Sequence, residues 1–184
     1  MANKTKFQAN SCFWYYITLS IVLIILEWTV VLITYNDTTS DKSELDWPSN
    51  LNMWDYFVNS LVIYIIWTAT VLLFMWGAYH ADCRDIPGER VEIYRSLFLI
   101  IVILNLLSLF LFFVQHNIKA TLIAQILILI LVIGLIFLYT EIDIHDAWYT
   151  FPYMLITVYF IYGFWYALRM NTGHPDINNT LFEI

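Results

Sequence analysis

Glu27 lies within the apolar run SIVLIILEWTVV and is the one acidic residue well inside a stretch that reads as lipid-embedded. A charge at that depth costs about 2.5–3.5 kcal/mol on insertion scales, so such an acid normally faces a cavity or a partner. One reading is a buried carboxyl that grips a cationic or hydrogen-bonding ligand. The other places it near one membrane surface beside Trp28, or simply protonated. Asn105 raises the same question, as a lone amide in the run from Ile93 to Val114. It could hold the bundle together by an interhelical hydrogen bond, or it could touch a ligand.

Four soft or imidazole ligands, Cys12, His80, Cys83 and His145, fall at one membrane face of a five-span topology. Together they could bind a soft transition metal, or Cys12 and Cys83 could pair. They come from three separate segments without a tight ligand motif, so no metal site is expected. Nothing has the spacing of a nucleophilic triad, a phosphate loop or a zinc hydrolase.

The aromatic content is the strongest signal, at 18% of the chain with eight tryptophans. Interfacial belts account for Trp14, Tyr15, Tyr16, Trp54, Tyr56 and Trp148. Trp67, Phe160, Phe164 and Trp165 lie deeper. Rings clustered inside a bundle suit a flat apolar ligand, although they also pack well against one another. The segment HDAWYTFPYMLITVYFIYGFWYALRMN adds Pro152 to this set. If its helix starts at Asp146 or Trp148, Pro152 falls just past the first turn and leaves a modest kink. Asp143 or Asp146 could cap that helix.

Five runs are long enough to carry these residues across about 30 Å of hydrocarbon, which takes roughly 20 residues each. They are Phe13–Tyr35, Tyr56–Tyr79, Ile93–Val114, Ala120–Tyr139 and Trp148–Leu168. The third and fourth form a hairpin through Gln115–Lys119. The connection 36–55, with an acidic first half followed by Trp47, Pro48 and Trp54, reads as a lid on the membrane surface. The 184 residues are 61% hydrophobic and 12% charged, with mean hydropathy +0.70. Soluble domains are about 25% charged, so lipid is the solvent. The expectation is an all-α integral membrane protein, one domain over 1–184 built as a bundle of five transmembrane helices. A net charge of -7 argues against nucleic acid as a partner. Two cysteines make no disulfide framework, and no signal-peptide cleavage site is evident. Lysine and arginine split five against three between the faces, which leaves orientation open.

Four landmarks resemble the translocator protein family, the tryptophan-rich sensory proteins (TspO/MBR). Trp47 and Leu51 stand where the family has a W-Y-x-x-L loop signature. Trp67 in "IIWT", before "WGAYH", is similar to the family's P-V-W-T and G-x-Y. Leu104-Asn105 followed by Phe112-Phe113 resembles L-N-x-x-W-x-x-x-F-F. Phe151-Pro152-Tyr153 and Arg169-x-Asn171 resemble the P-Y-L…R-x-N ending. The stretches align without gaps from Trp47 to Tyr79 and from Asn105 to Arg169.

The resemblance implies five helices, often dimeric, around a pocket capped by the first loop. It also implies a porphyrin such as protoporphyrin IX or haem, or a sterol, as ligand, with transport, sensing or a receptor role. The implied binding set is Trp47, Leu51, Ile63, Ile66, Trp67, Asn105, Ser108, Phe112, Phe113, Ile156 and Phe160; Glu27 joins it on its own position. Ser108 and Ile156 replace family tryptophans, Phe160 fills a usually small position, and the loop prolines are lost in "LNMWDYFVN". No Leu or Val lies in the five residues before Tyr166, so the cholesterol-associated pattern fails. Some bacterial members are associated with light-dependent porphyrin breakdown involving pocket tryptophans. With Ile156 in place of one, binding without catalysis is the expectation. The mitochondrial outer membrane, if the source is eukaryotic, or a bacterial cell membrane would house the protein.

Two other readings compete. Glu27 could serve an amine- or sterol-binding protein like the sterol-isomerase and sigma-2 receptor group. Only five glycines amid abundant Ile, Leu, Phe and Tyr would also suit a structural subunit of an organellar membrane complex.

Overall fold

Lipid offers no hydrogen bonds, so each apolar run must satisfy its backbone within one helix. Five helices do so in the computed structural model, in which residues 2–37, 61–82 and 88–170 are described. They are α1 (Ala2–Asp37), α2 (Leu61–Asp82), α3 (Gly88–Phe113), α4 (Ile118–Thr140) and α5 (Ile144–Met170). Each contains a stretch long and apolar enough to cross a membrane. The protein is an all-α integral membrane protein with five spanning helices. The proposed lid at 36–55, apart from its first two residues, and Cys83 lie outside the described residues.

The helices outrun the apolar runs because polar residues continue them at the ends. α1 has 36 residues, but its apolar core, Cys12–Val30, has 19. At α5 the cap is Asp143, whose Oδ1 accepts from the His145 amide at 2.9 Å. Asp146 is instead fully buried inside the first turn. Pro152 is therefore well inside the helix, where it deprives the Trp148 carbonyl of its partner. Between α3 and α4 the chain reverses with His116 at φ 51°, a left-handed conformation in which His is enriched among non-glycine residues. Asn117 then caps α4, accepting from the Ala120 amide at 3.0 Å.

The principal contacts run α1–α2, α2–α5, α5–α4, α4–α3 and α3–α1, which closes a ring of five helices. A column of rings crosses its interior. Tyr16 meets Phe98 edge-on at 4.9 Å, Phe98 stacks on Phe74 at 5.0 Å, and Phe74 stacks on Tyr153 at 4.7 Å. Four helices are joined by those three contacts, each worth about 0.5–1.5 kcal/mol beyond area burial. Tyr16 is thus a core residue, fully buried, which corrects its assignment to the interfacial belt. Trp14 and Trp148 do face outward.

One end of the ring is fastened by charge. Arg95 on α3 grips the buried Asp82 of α2 through Nε at 2.7 Å and Nη2 at 3.2 Å, and Nη2 also donates to Cys12 Sγ on α1 at 2.9 Å. Nearby, His80 of α2 pairs with Asp146 of α5 at 3.2 Å. The residues considered together as metal ligands thus divide between different duties. Cys12 is a free thiol turned to Arg95, His80 turns to Asp146, and His145 is exposed. Among the described residues, no group of three His, Cys, Asp or Glu could hold a metal ion.

Helices α2 and α5 approach closely at Gly77, where an added Cβ would lie 2.9 Å from Tyr149 Cβ and 3.0 Å from the Asp146 carbonyl. Gly77→Val should lower stability by about 1–3 kcal/mol, the usual penalty of overpacking, seen as an earlier thermal transition in detergent. Asp82→Asn should cost about 2 kcal/mol, less than for a wholly buried pair because the Arg95 side chain is 41% exposed. The same thermal scan measures it, and Asp82→Asn with Arg95→Leu should recover part of the loss.

Candidate functional site

At the opposite end, where the chain leaves α1 and later enters α2, the ring opens into a cleft. All five helices line it: Glu27 from α1, Tyr64 and Trp67 from α2, and Asn105, Ser108, Leu109, Phe112 and Phe113 from α3. Gln125 of α4 and Phe160 and Phe164 of α5 complete the wall. Its empty space is about 510 Å³ with the open mouth included, but a water-sized body can move in only about 40 Å³. A few waters fit that room, at roughly 10–15 Å³ each. A larger ligand requires the rings to part.

The rings form one side. Phe112 meets Phe113 edge-on at 4.8 Å and Phe164 at 5.1 Å, while Phe160 stacks near Phe164 at 6.5 Å. Trp67 is 3% exposed. Polar groups form the rest. Asn105 Nδ2 donates to the Ile101 carbonyl and to Tyr153 Oη, both at 2.7 Å. Because a carbonyl can only accept, the first bond fixes the amide's orientation. Asn105 therefore makes an interhelical bond and lines the cleft at once. Gln125 Nε2 donates to Ser108 Oγ at 2.8 Å, tying α4 to α3. Glu27 is 7% exposed.

The structure thus brings together seven residues of the expected binding set: Glu27, Trp67, Asn105, Ser108, Phe112, Phe113 and Phe160. Three others need correction. Ile66 is 47% exposed on the outside and Ile63 is half-buried, neither of them lining the cleft. On α2 the lining face is Tyr64–Trp67, one residue further on, which is a rotation of about 100°. Ile156 is buried in the ring's core instead, one turn before Phe160, where the α5 lining starts. Trp165 turns outward, 45% exposed, with the Arg169 guanidinium 5.6 Å above its ring. Trp47 and Leu51 lie outside the described residues.

Sequence reasoning missed Tyr64, Leu109 and Gln125, and left Phe164 out of the binding set. Gln125 carried a readable signal: it is the one amide in the run from Ile118 to Thr140, as Asn105 is in its own.

Fold and site define a five-helix membrane protein with an aromatic cleft inside the bundle. The sequence profile of the TspO/MBR family matches residues 18–169, and the chain belongs to that family. A comparison with curated proteins finds no match.

Tyr153→Phe should leave Asn105 bonded to Ile101 alone. The expected loss is about 0.6–1.5 kcal/mol, typical of one interhelical hydrogen bond in a membrane protein. Thermal unfolding in detergent measures it, and Tyr166→Phe, at a half-buried position on the same helix, serves as control.

Proposed function

We propose that the protein is a membrane receptor or carrier that binds a flat apolar molecule, a porphyrin such as protoporphyrin IX or a sterol, in the cleft among its helices. The observation that carries this reading is the lining: Trp67, Phe112, Phe113, Phe160 and Phe164 converge from three helices on one space. Apolar, ring-lined cavities with a few placed polar groups are the usual sites for such molecules. Membership of the TspO/MBR family supports a binding, transport or sensing role in a membrane. The host is the mitochondrial outer membrane if the source is eukaryotic and the cell membrane if it is bacterial.

The cleft is narrow without a ligand, so entry is coupled to ring movement. Binding should accordingly be slower than diffusion allows and should order the Phe112–Phe164 group. No catalytic step is proposed, and Ile156 stands where the family has a pocket tryptophan.

Adding protoporphyrin IX to the purified protein should quench tryptophan fluorescence saturably. Trp67→Phe should reduce the amplitude and weaken binding about three- to tenfold, the loss of one good ring contact. Absence of saturable quenching by both porphyrin and a sterol competitor would sink the reading.

A further inference from the structure

The cleft's polar groups are unbalanced. Glu27 places a carboxyl on the lining, and no lysine or arginine among the described residues lines it with Glu27. Arg95 is engaged with Asp82 at the other end of the ring, Arg169 lies over Trp165, and Lys119 at the start of α4 is exposed and outside the lining. Asn105 cannot serve Glu27, since its amide hydrogens go to Ile101 and Tyr153. What it leaves for the cleft is a carbonyl oxygen, another acceptor. Gln125 is bonded to Ser108. A carboxyl that is 7% exposed inside a membrane bundle, with no ion-pair partner among the described residues, lacks the compensation that such groups ordinarily have.

We infer that the cleft selects flat ligands carrying a hydrogen-bond-donating, cationic nitrogen at one edge, with Glu27 as its acceptor. This rests on the reading of the cleft as a flat-ligand site and names the chemical class within it. A carboxyl accepts hydrogen bonds in either protonation state, and as carboxylate it pairs with an ammonium in surroundings that strengthen the attraction. The aromatic side of the cleft suits the same ligand, because ring faces also attract cations. The preference runs the other way for acids. A ligand's carboxylate near Glu27 and the Asn105 carbonyl meets two acceptors and, among the described residues, no lysine or arginine, so acidic groups must stay at the mouth.

The test titrates three pyrenes into the full chain in non-ionic detergent: 1-pyrenemethylamine, 1-methylpyrene and 1-pyrenecarboxylate. Energy transfer from tryptophan reports binding. The amine should bind about tenfold or more tighter than methylpyrene, the gain typical of a hydrogen bond to a charged group. The carboxylate should bind more weakly than methylpyrene. Glu27→Gln should bring the amine to the affinity methylpyrene has for the same variant, while Glu27→Asp keeps part of the preference. If methylpyrene binds saturably but the amine gains nothing, this inference is overturned and the flat-ligand reading stands. An amine preference that survives Glu27→Gln overturns it equally. If none of the three binds saturably, the flat-ligand reading falls and the inference with it. Should Glu27→Gln not fold, the wild-type ranking decides alone.

Discussion

A chain dissolved in lipid has no water to satisfy its polar atoms, and this constraint sorts nearly every polar side chain described above. Asn105 reaches Ile101 and Tyr153, Gln125 reaches Ser108, Trp28 Nε1 reaches Thr68 Oγ1 at 2.9 Å, and Arg95 reaches Asp82 and Cys12. Each of these pairings except the bond within α3 joins two helices. The bundle's register follows from them, because apolar contacts alone are non-directional and lipid tails compete for them. Glu27 differs in that it lines an open space.

The two ends of the ring consequently do different work. At the Asp82–Arg95 end, polar groups are consumed in fastening α1, α2 and α3, and Gly77 lets α2 and α5 close to contact. At the cleft end the walls are rings with a few polar groups, Glu27 among them. Paired charges and a small residue fasten the Asp82–Arg95 end, while at the cleft the side chains that meet are mostly large, flat rings. On the proposed reading, ligand entry displaces Phe112, Phe160 and Phe164 at the cleft end.

How much of this the sequence revealed depends on the kind of contrast each residue made. Five spans were legible because length and apolarity are forced by the bilayer. Their ends were less so: α3 continues back from Ile93 to Gly88 through Glu92 and Arg90, since apolarity marks hydrocarbon depth while hydrogen bonding sets helix length. Glu27 and Asn105 stood out as polar residues in apolar runs, and Gln125 would have by the same rule. The choice between Ile63–Ile66 and Tyr64–Trp67 could not be read. A helix that is apolar all round has no polar face to mark which side looks inward. Tyr16 failed for a related reason: near a span's end, a tyrosine suits the interface and the core alike.

The central claim is that a flat ligand sits inside the bundle, against rings from α2, α3 and α5. The most direct measurement is photo-crosslinking with a diazirine-bearing pyrene, followed by peptide mapping of the labelled chain. The account predicts label on 61–70, 105–113 and 160–164, displaced by excess unlabelled pyrene. Label spread over outward residues such as Phe137, Trp148 and Leu155, and not displaced, would mean partition into the lipid boundary and would contradict it.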